Sequence, residues 1–334
     1  MRALRITGPG RPLEAADLPR PSPGPGEVLI DVVAAGICHS DAHYRAGRPL
    51  PRLVPVTPGH EIAGVVSDVG EGVDAGLIGA RVAVHYVVAC RACSRCLDEA
   101  EQFCTAYGMV GNTRDGGYAD AVVVPAANAV PVPDGVDLGH AAVMMCSTAT
   151  SYHALRRGRL KAGETVAVFG VGGLGMSAVQ LARILGAERV LAVDRDPGRL
   201  EIAEALGATP IVANGAGIID EVDVALDLVG APAVTEAGLR ALAPRGRLVL
   251  VGITQETLTV SPYQAIVGPE REILGCNDHT LAEVGDLMAW AEAGTLDLAP
   301  VITGEVPLDV GAVNAALDRL DSHGPGIRTL IRPA

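Results

Sequence analysis

From Glu27 to Val33, and again from Glu61 to Val69, β-branched residues cluster between proline and glycine punctuation. That is the pattern of short strands in a turn-dense domain. Ala80–Val84 and Tyr118–Val124 continue it, and Met1–Ile6 reads as a first strand, ended by Gly8-Pro-Gly10. Near Leu138 the rhythm changes, and His140 to Ser151, rich in Ala and Met, predicts a helix. After Gly163, strand, glycine turn and helix alternate. Thr165–Phe169 and Val190–Val193 read as buried strands, Met176–Leu185 as a helix closed by Gly186, and Arg199–Leu206 as a helix stopped by Gly207. Val222–Asp227 and Gly246–Val251 extend the series. This alternation predicts a parallel α/β sheet wrapped by helices on both faces. From about Asp278 the pattern is less regular, and no repeat or low-complexity segment is visible.

Composition narrows the picture. The 334 residues suffice for two domains, and 41 Gly with 23 Pro agree with many turns. Lys and Arg number 26 against 39 Asp and Glu, a net charge of −13 without a basic run, which argues against nucleic acid or an anionic membrane as partner. No apolar run approaches the roughly 18 residues of a membrane span, and no secretory leader is expected at the start. Seven cysteines in such a chain favour metal ligation or catalysis over a disulfide framework, and a cytoplasmic location is expected.

Gly170-Val-Gly-Gly-Leu-Gly175 is G-x-G-x-x-G between a predicted strand and a predicted helix, and Asp194 stands 19 positions beyond Gly175 at the end of the next strand. In that context the pattern predicts a dinucleotide-binding, Rossmann-type turn. Gly170 permits the tight turn, Gly172 lets backbone N–H groups approach a pyrophosphate, and Gly175 lets helix lie close on sheet. The helix N-terminus adds partial positive charge. Asp194 suits the ribose hydroxyls and repels a 2′-phosphate, so NAD is expected rather than NADP.

Cys90, Cys93, Cys96 and Cys104 form C-x2-C-x2-C-x7-C, a closed four-thiolate zinc site by spacing. Little apolar content surrounds them, so the metal is expected to supply the folding energy of this lobe. An iron–sulfur cluster is the competing reading. The wide last gap, and Thr105 in place of proline, count against it. Cys38, Cys146 and Cys276 remain. Gly36–His43 gathers Cys38, His39, Ser40, Asp41 and His43, while His60 lies in Gly59-His60-Glu61. Cys38, His60 and Cys146 would make a two-sulfur, one-nitrogen zinc site with an open position. From spacing alone the three need not meet, and Cys146 also suits a plain core thiol. Cys276 is expected to be packing.

These segments together resemble the zinc-containing medium-chain alcohol dehydrogenase family over nearly the whole chain. The resemblance rests on G-I-C-H-S-D-A-H, G-H-E, the four-cysteine lobe, D-G-G-Y-A from Asp115, M-M-C-S-T-A-T, the glycine fingerprint and Gly326-Ile-Arg-Thr329, in the family's order. It implies a strand-rich GroES-like catalytic domain over 1–147, a Rossmann NAD-binding domain over 148–277, and a return to the first over 278–334. The family match also implies that Cys38, His60 and Cys146 bind catalytic zinc, with Glu61 beside it and Asp41 orienting His60. Two zinc ions per subunit follow, one catalytic and one structural. Ser40 and His43 match the proton relay. Thr150 and Leu174 match residues near the nicotinamide, Arg199 a cation near the ribose, and His39 and Arg328 partners of the pyrophosphate. A histidine at position 39 would make that grip weaken as pH rises. Tyr86 and Met109 are candidate substrate-facing residues. Family relatives are commonly dimers or tetramers, so a homo-oligomer is expected.

The implied reaction is reversible oxidation of a primary or secondary alcohol to aldehyde or ketone. Zinc acts as Lewis acid, the proton leaves through Ser40, the cofactor ribose and His43, and hydride passes to NAD. Three rivals are a polyol dehydrogenase, a zinc-free reductase on the same scaffold, and a non-catalytic NAD-binding protein. A cysteine at 146 rather than a glutamate leans away from the first, the presence of the ligand set argues against the second, and the intact Ser40 and His43 against the third.

Overall fold

In the computed structural model, which describes residues 1–213, 221–322 and 324–333, β1 (Arg2–Arg5) pairs antiparallel with β2 (Glu14–Asp17). The long β3 (Glu27–Ile37) follows, buried along almost its whole length, and leads directly into α1 (His39–Ala46). Next come β4 (Glu61–Val69), β5 (Arg81–Val84) and β6 (Val87–Val88), then the short α2 (Ser94–Leu97) among the clustered cysteines. β7 (Gly108–Met109) pairs back on β6, and β8 (Ala121–Pro125) and β9 (Ala129–Pro131) complete the strands of this half. The predicted helix near Leu138 is present, in three pieces: α3 (Leu138–Val143), a π turn over Met144–Thr148, and α4 (Ala149–Arg157). Wider π turns recur at functional positions, and this one carries Cys146.

The alternating half reads as its pattern predicts. β10 (Thr165–Phe169), α5 (Gly173–Ile184), β11 (Arg189–Asp194), α6 (Pro197–Ala205), β12 (Thr209–Val212), β13 (Val222–Asp227), α7 (Pro232–Ala241), β14 (Leu242–Leu250) and β15 (Glu272–Gly275) succeed one another. All neighbouring strands are parallel, in the order β12-β11-β10-β13-β14-β15. That is a doubly wound sheet whose order reverses between β10 and β13, the place where such sheets bind ligands beyond their strand ends. Its core gathers Ala167, Phe169, Leu191, Ala225 and Leu248.

The closing segment is more regular than its pattern suggests. It contains α8 (Leu281–Glu292), β16 (Ile302–Pro307), α9 (Val310–Asp321) and β17 (Arg328–Arg332). Gly285 in α8 and the small residues of α9 blur the helical period, because α9 buries only Val313, Ala316 and Leu317. A capping box at Thr280 and Glu283 was the legible signal.

The chain divides into two units. One comprises Met1–Cys146, Thr280–Gly294 and Ile302–Ala334; the other, Ser147–His279 and Thr295–Val301. The short return of 295–301 to the second unit has no compositional mark. In the first unit a seven-stranded sheet runs β16-β17-β3-β4-β5-β9, with β8 also on β3. β3 is the axis of this unit. β4 lies antiparallel on one side of it, while β8 and β17 share the other. Its core includes Ile6, Ile30, Ile62, Val84 and Val122. Among the described residues no helix is long and apolar enough to cross a membrane.

Candidate active site and metal centres

Strand register assembles the first cluster. Gly36 on β3 stands opposite Glu61 on β4, so Cys38, just past the end of β3, lies level with the Gly59-His60 segment that enters β4. On the other side of β3, Thr329 of β17 stands opposite Ile37, which brings Arg328 to the same level. Cys146 arrives from the π turn. The result is a buried group in which ligand atoms of Cys38, His60, Glu61 and Cys146 all lie within 4.8 Å of one another. Cys38 Sγ is 4.0 Å from Cys146 Sγ, and His60 Nε2 is 3.3 Å from Cys146 Sγ.

Asp41 organises this group from behind. Cys38 caps α1, and its N–H donates to Asp41 Oδ2 at 3.0 Å. Gly59 N–H donates to Asp41 Oδ1 at 3.2 Å, and His60 Nδ1 faces the same oxygen at 3.5 Å. The electrostatics follow from burial and neighbours. A hydrogen bond from Cys146 holds the Cys38 thiol well below its ordinary pKa against the opposing effect of burial, with His60 and Arg328 adding to it. Burial disfavours charge on His60, yet the Asp41 carboxylate and then Cys38 raise its pKa well above the usual value. Burial pushes the Glu61 carboxyl up to about 7 despite its ion pair with Arg328. Glu61 Oε1 is buried with no hydrogen-bond partner. A pocket holding two thiols, one unpartnered carboxylate oxygen and an imidazole is suited to a cation.

Arg328, expected at a pyrophosphate, lies buried against Glu61, and its Nε also has no hydrogen-bond partner. His39, Ser40 and His43 are half-buried on α1, and the two imidazoles stack with centroids 4.9 Å apart. Tyr86 sets its ring edge-on to His60 at 5.0 Å, whereas Met109 is buried and takes a hydrogen bond from Tyr44 at 3.5 Å. Sequence reasoning passed over Tyr118, which is fully buried and donates to Asp41. The only hint was its place in D-G-G-Y-A.

The second cluster is local. Cys93 Sγ lies 3.5 Å from Cys96 Sγ and 4.0 Å from Cys104 Sγ, and Cys90 Sγ 3.9 Å from Cys96 Sγ. Four sulfurs bound tetrahedrally at about 2.3 Å from one zinc stand about 3.8 Å apart, so the spacing fits. Backbone N–H groups point at the sulfurs: Cys90 N at 3.2 Å and Ala106 N at 3.3 Å from Cys104, and Cys93 N at 3.4 Å from Cys90. Hydrogen bonds from the Thr105 and Cys96 backbones pull the Cys93 thiol down to about 5. Cys276 belongs to neither cluster. It is half-buried with its sulfur 4.0 Å from the Thr150 carbonyl.

In the second unit, Gly170 follows β10 with φ +89°, a backbone that disfavours any side chain. A Cβ on Gly175 would collide with the Gly170 carbonyl, so only glycine lets α5 start so close to the turn. Gly172 caps α5, and the Arg199 guanidinium approaches to 4.0 Å of where its Cβ would stand. Leu174 is half-buried in the first turn of α5, its carbonyl taking a hydrogen bond from Ser151, and Thr150 is buried in α4. Asp194 ends β11, its Oδ2 accepting from Val171 N at 2.8 Å and its Oδ1 from Arg195 N at 2.7 Å and Asp196 N at 3.0 Å. A cleft of about 560 Å³ at the opposite, starting ends of these strands is lined by Arg159, Lys161, Glu164, Asp223, Arg247 and Glu272. Its charges are largely paired with each other, Arg247 with Glu164 and Arg159 with Glu272.

A doubly wound sheet with this turn, joined in one chain to a buried cluster of two thiols and an imidazole, defines a class of dinucleotide-dependent, metal-site oxidoreductases. Comparison with known proteins narrows the class. Residues 24–134 match the family described as alcohol dehydrogenase GroES-like domain, and 173–293 match zinc-binding dehydrogenase. The chain is 31% identical over 362 residues to an NAD-dependent alcohol dehydrogenase of Sulfurisphaera tokodaii, covering 100% of each. It is 36% identical over 289 residues to an NADP-dependent alcohol dehydrogenase of Mycolicibacterium smegmatis, covering 82% of each. A cobalt- and zinc-bound thermostable alcohol dehydrogenase from Pyrobaculum aerophilum superposes with a TM-score of 0.92 at 32% identity, over 100% of this chain and 99% of that one. The chain belongs to the zinc-containing medium-chain alcohol dehydrogenase family.

Proposed function

We propose that this alcohol dehydrogenase oxidises a primary or secondary alcohol reversibly to its aldehyde or ketone, with NAD as hydride acceptor and two zinc ions per subunit. The observation that carries the reading is the convergence of Cys38, His60 and Cys146, distant in sequence, on one buried point beside Glu61. Their donor set is that of a catalytic zinc with one position left open. When bound there, zinc supplies the Lewis acidity that lets an alcohol hydroxyl ionise near neutral pH. The four-cysteine lobe offers no open position and is read as a structural site.

The chain's own groups do the rest. Asp41 fixes the His60 ring, and with it the direction of Nε2. Ser40 takes the alcohol proton and passes it toward His43 at the end of the same helical turn, where the half-buried imidazole reaches solvent. The Gly170–Gly175 turn and the start of α5 receive the pyrophosphate, with Arg199 and His39 as flanking cations. Arg328 is proposed as a further partner of the pyrophosphate. Thr150 and Leu174 are read as walls of the nicotinamide site. Preference for NAD is supported by Asp194, whose carboxylate, held by three backbone N–H groups at the end of β11, suits ribose hydroxyls and would repel a 2′-phosphate. A homo-oligomer is part of the same proposal.

Assay of aliphatic, aromatic and polyol alcohols with NAD and with NADP, repeated after chelation, tests it. The expected result is chelator-sensitive NADH formation with a higher kcat/KM for NAD. Turnover that survives complete metal removal overturns the zinc reading, and preference for NADP overturns the cofactor reading.

A further inference from the structure

Tyr118 ends the turn before β8, and its surroundings are more exacting than a packing role requires. The side chain is fully buried. Its backbone is sewn to the segment that carries His60: Tyr118 N donates to the Pro58 carbonyl at 3.0 Å and Gly117 N to the Gly59 carbonyl at 2.8 Å. The ring lies directly on Gly59, where φ is +92° and any side chain would strike it. At the far end of the ring the hydroxyl donates to Asp41 Oδ2 at 2.9 Å. A buried hydroxyl is costly without a partner. The other acceptor near it, the Gly36 carbonyl, is 3.5 Å away.

Asp41 accepts three hydrogen bonds and faces one imidazole nitrogen. Cys38 N–H and Tyr118 O–H donate to Oδ2 at 3.0 and 2.9 Å, Gly59 N–H donates to Oδ1 at 3.2 Å, and His60 Nδ1 faces Oδ1 at 3.5 Å without a hydrogen bond. The terminal torsion of an aspartate is broad, so its rotation is set by hydrogen bonds and not by a rotamer well. The two shorter bonds are those on Oδ2, and one of them is Tyr118's. We infer that Tyr118 is a positioning residue of the metal site: its hydroxyl locks the Asp41 carboxylate in the rotation that turns Oδ1 to His60 and so aims His60 Nε2 at the metal. Burial and the adjacent Asp41 charge raise the phenol's pKa well above normal, so the hydroxyl keeps the proton it donates. Phenylalanine would preserve the ring on Gly59 and lose only this function.

The inference rests on Cys38, His60 and Cys146 being zinc ligands, and its test separates the two. Zinc release to a chromogenic chelator is followed in full-length, zinc-loaded protein, with the four-cysteine lobe as internal control. Tyr118→Phe is expected to release zinc from the buried site about tenfold faster, with release from the lobe unchanged. With cobalt in place of zinc, its visible absorption bands shift. In an Asp41→Asn background the same substitution should change release by less than about twofold, because the hydroxyl acts through Asp41. A lowered Tm with unchanged release and unchanged cobalt bands overturns the inference, as does a tenfold effect that persists beside Asp41→Asn. Should Tyr118→Phe fail to fold, a ring-fluorinated tyrosine placed at Tyr118 keeps the hydroxyl as a stronger donor. Release at or below the wild-type rate is then expected, and faster release counts against the idea. Wild-type protein that carries metal only in the lobe overturns the site reading together with this inference.

Discussion

The two cysteine clusters have the same crowding of ligand atoms and opposite construction. In the lobe, four sulfurs come from a stretch of fifteen residues, Cys90 is exposed, and no strand or long helix holds them. In the other, Cys38, His60, Glu61 and Cys146 are all buried and come from the ends of two strands and a π turn. The fold can hold the second group in place without metal, because β3, β4 and β17 are locked by register and Asp41 ties Cys38 to the Gly59-His60 segment. The lobe is held by the single turn of α2, local turn hydrogen bonds and backbone-to-sulfur hydrogen bonds, and is expected to depend on an ion for its shape. On the proposed reading, metal in the prepared pocket would serve chemistry and metal in the lobe would serve stability.

The sharpest way to break this contrast is Cys38→Ser. Loss of one prepared thiolate should remove several kcal/mol of transition-state stabilisation, roughly a thousandfold or more in kcat, while circular dichroism and Tm stay near wild type. Equal activity of variant and wild type would refute the assignment. Cys93→Ser probes the other side. Here the expected loss is structural: Tm falls by several degrees and proteases nick the chain between Cys90 and Cys104, with kcat per folded molecule changing far less.

His85 sits where the two regions meet. Its ring stacks near Tyr86 at 6.2 Å, and its Nε2 lies 3.7 Å from Glu101 of the lobe, beyond hydrogen-bond reach. Burial, with the Arg91 cation, holds its pKa down to about 4 from an ordinary 6.5. The unfolded chain therefore takes up this proton first as pH falls, and stability present above about 6.5 is lost on the way to pH 4, by about 2–3 kcal/mol. His85→Gln should flatten that limb in denaturation curves taken across this window. A limb as steep as wild type would assign the loss to other groups. The smallest effect is expected at the rim of the buried site. His43→Gln should slow turnover roughly tenfold near pH 6 and less above pH 8, where solvent hydroxide takes the proton directly. A loss independent of pH would remove His43 from the relay.

The parallel sheet and the glycine turn were legible because their information is local. β-branched runs, glycines and helical spacing recur within one stretch of thirty residues, from Thr165 to Asp194. The final helices α8 and α9 were not, since Gly285 and a run of small residues weaken the periodicity that packing then restores. The lobe was legible for the same reason as the turn. For the buried cluster the sequence offered residue types and a family likeness, and spacing alone left Cys146 as plausible in a core as at a metal.

Sequence by itself thus determined the donor chemistry available to this protein, the alternation that builds its parallel sheet and the four-thiolate loop. Tertiary structure alone decided that Cys38, His60 and Cys146 meet, that Arg328 lies buried against Glu61, and that Tyr118 stands behind Asp41. The reason is physical. Convergence across more than a hundred residues is set by strand register and by the packing of a helix on a sheet, and neither is encoded at any single position.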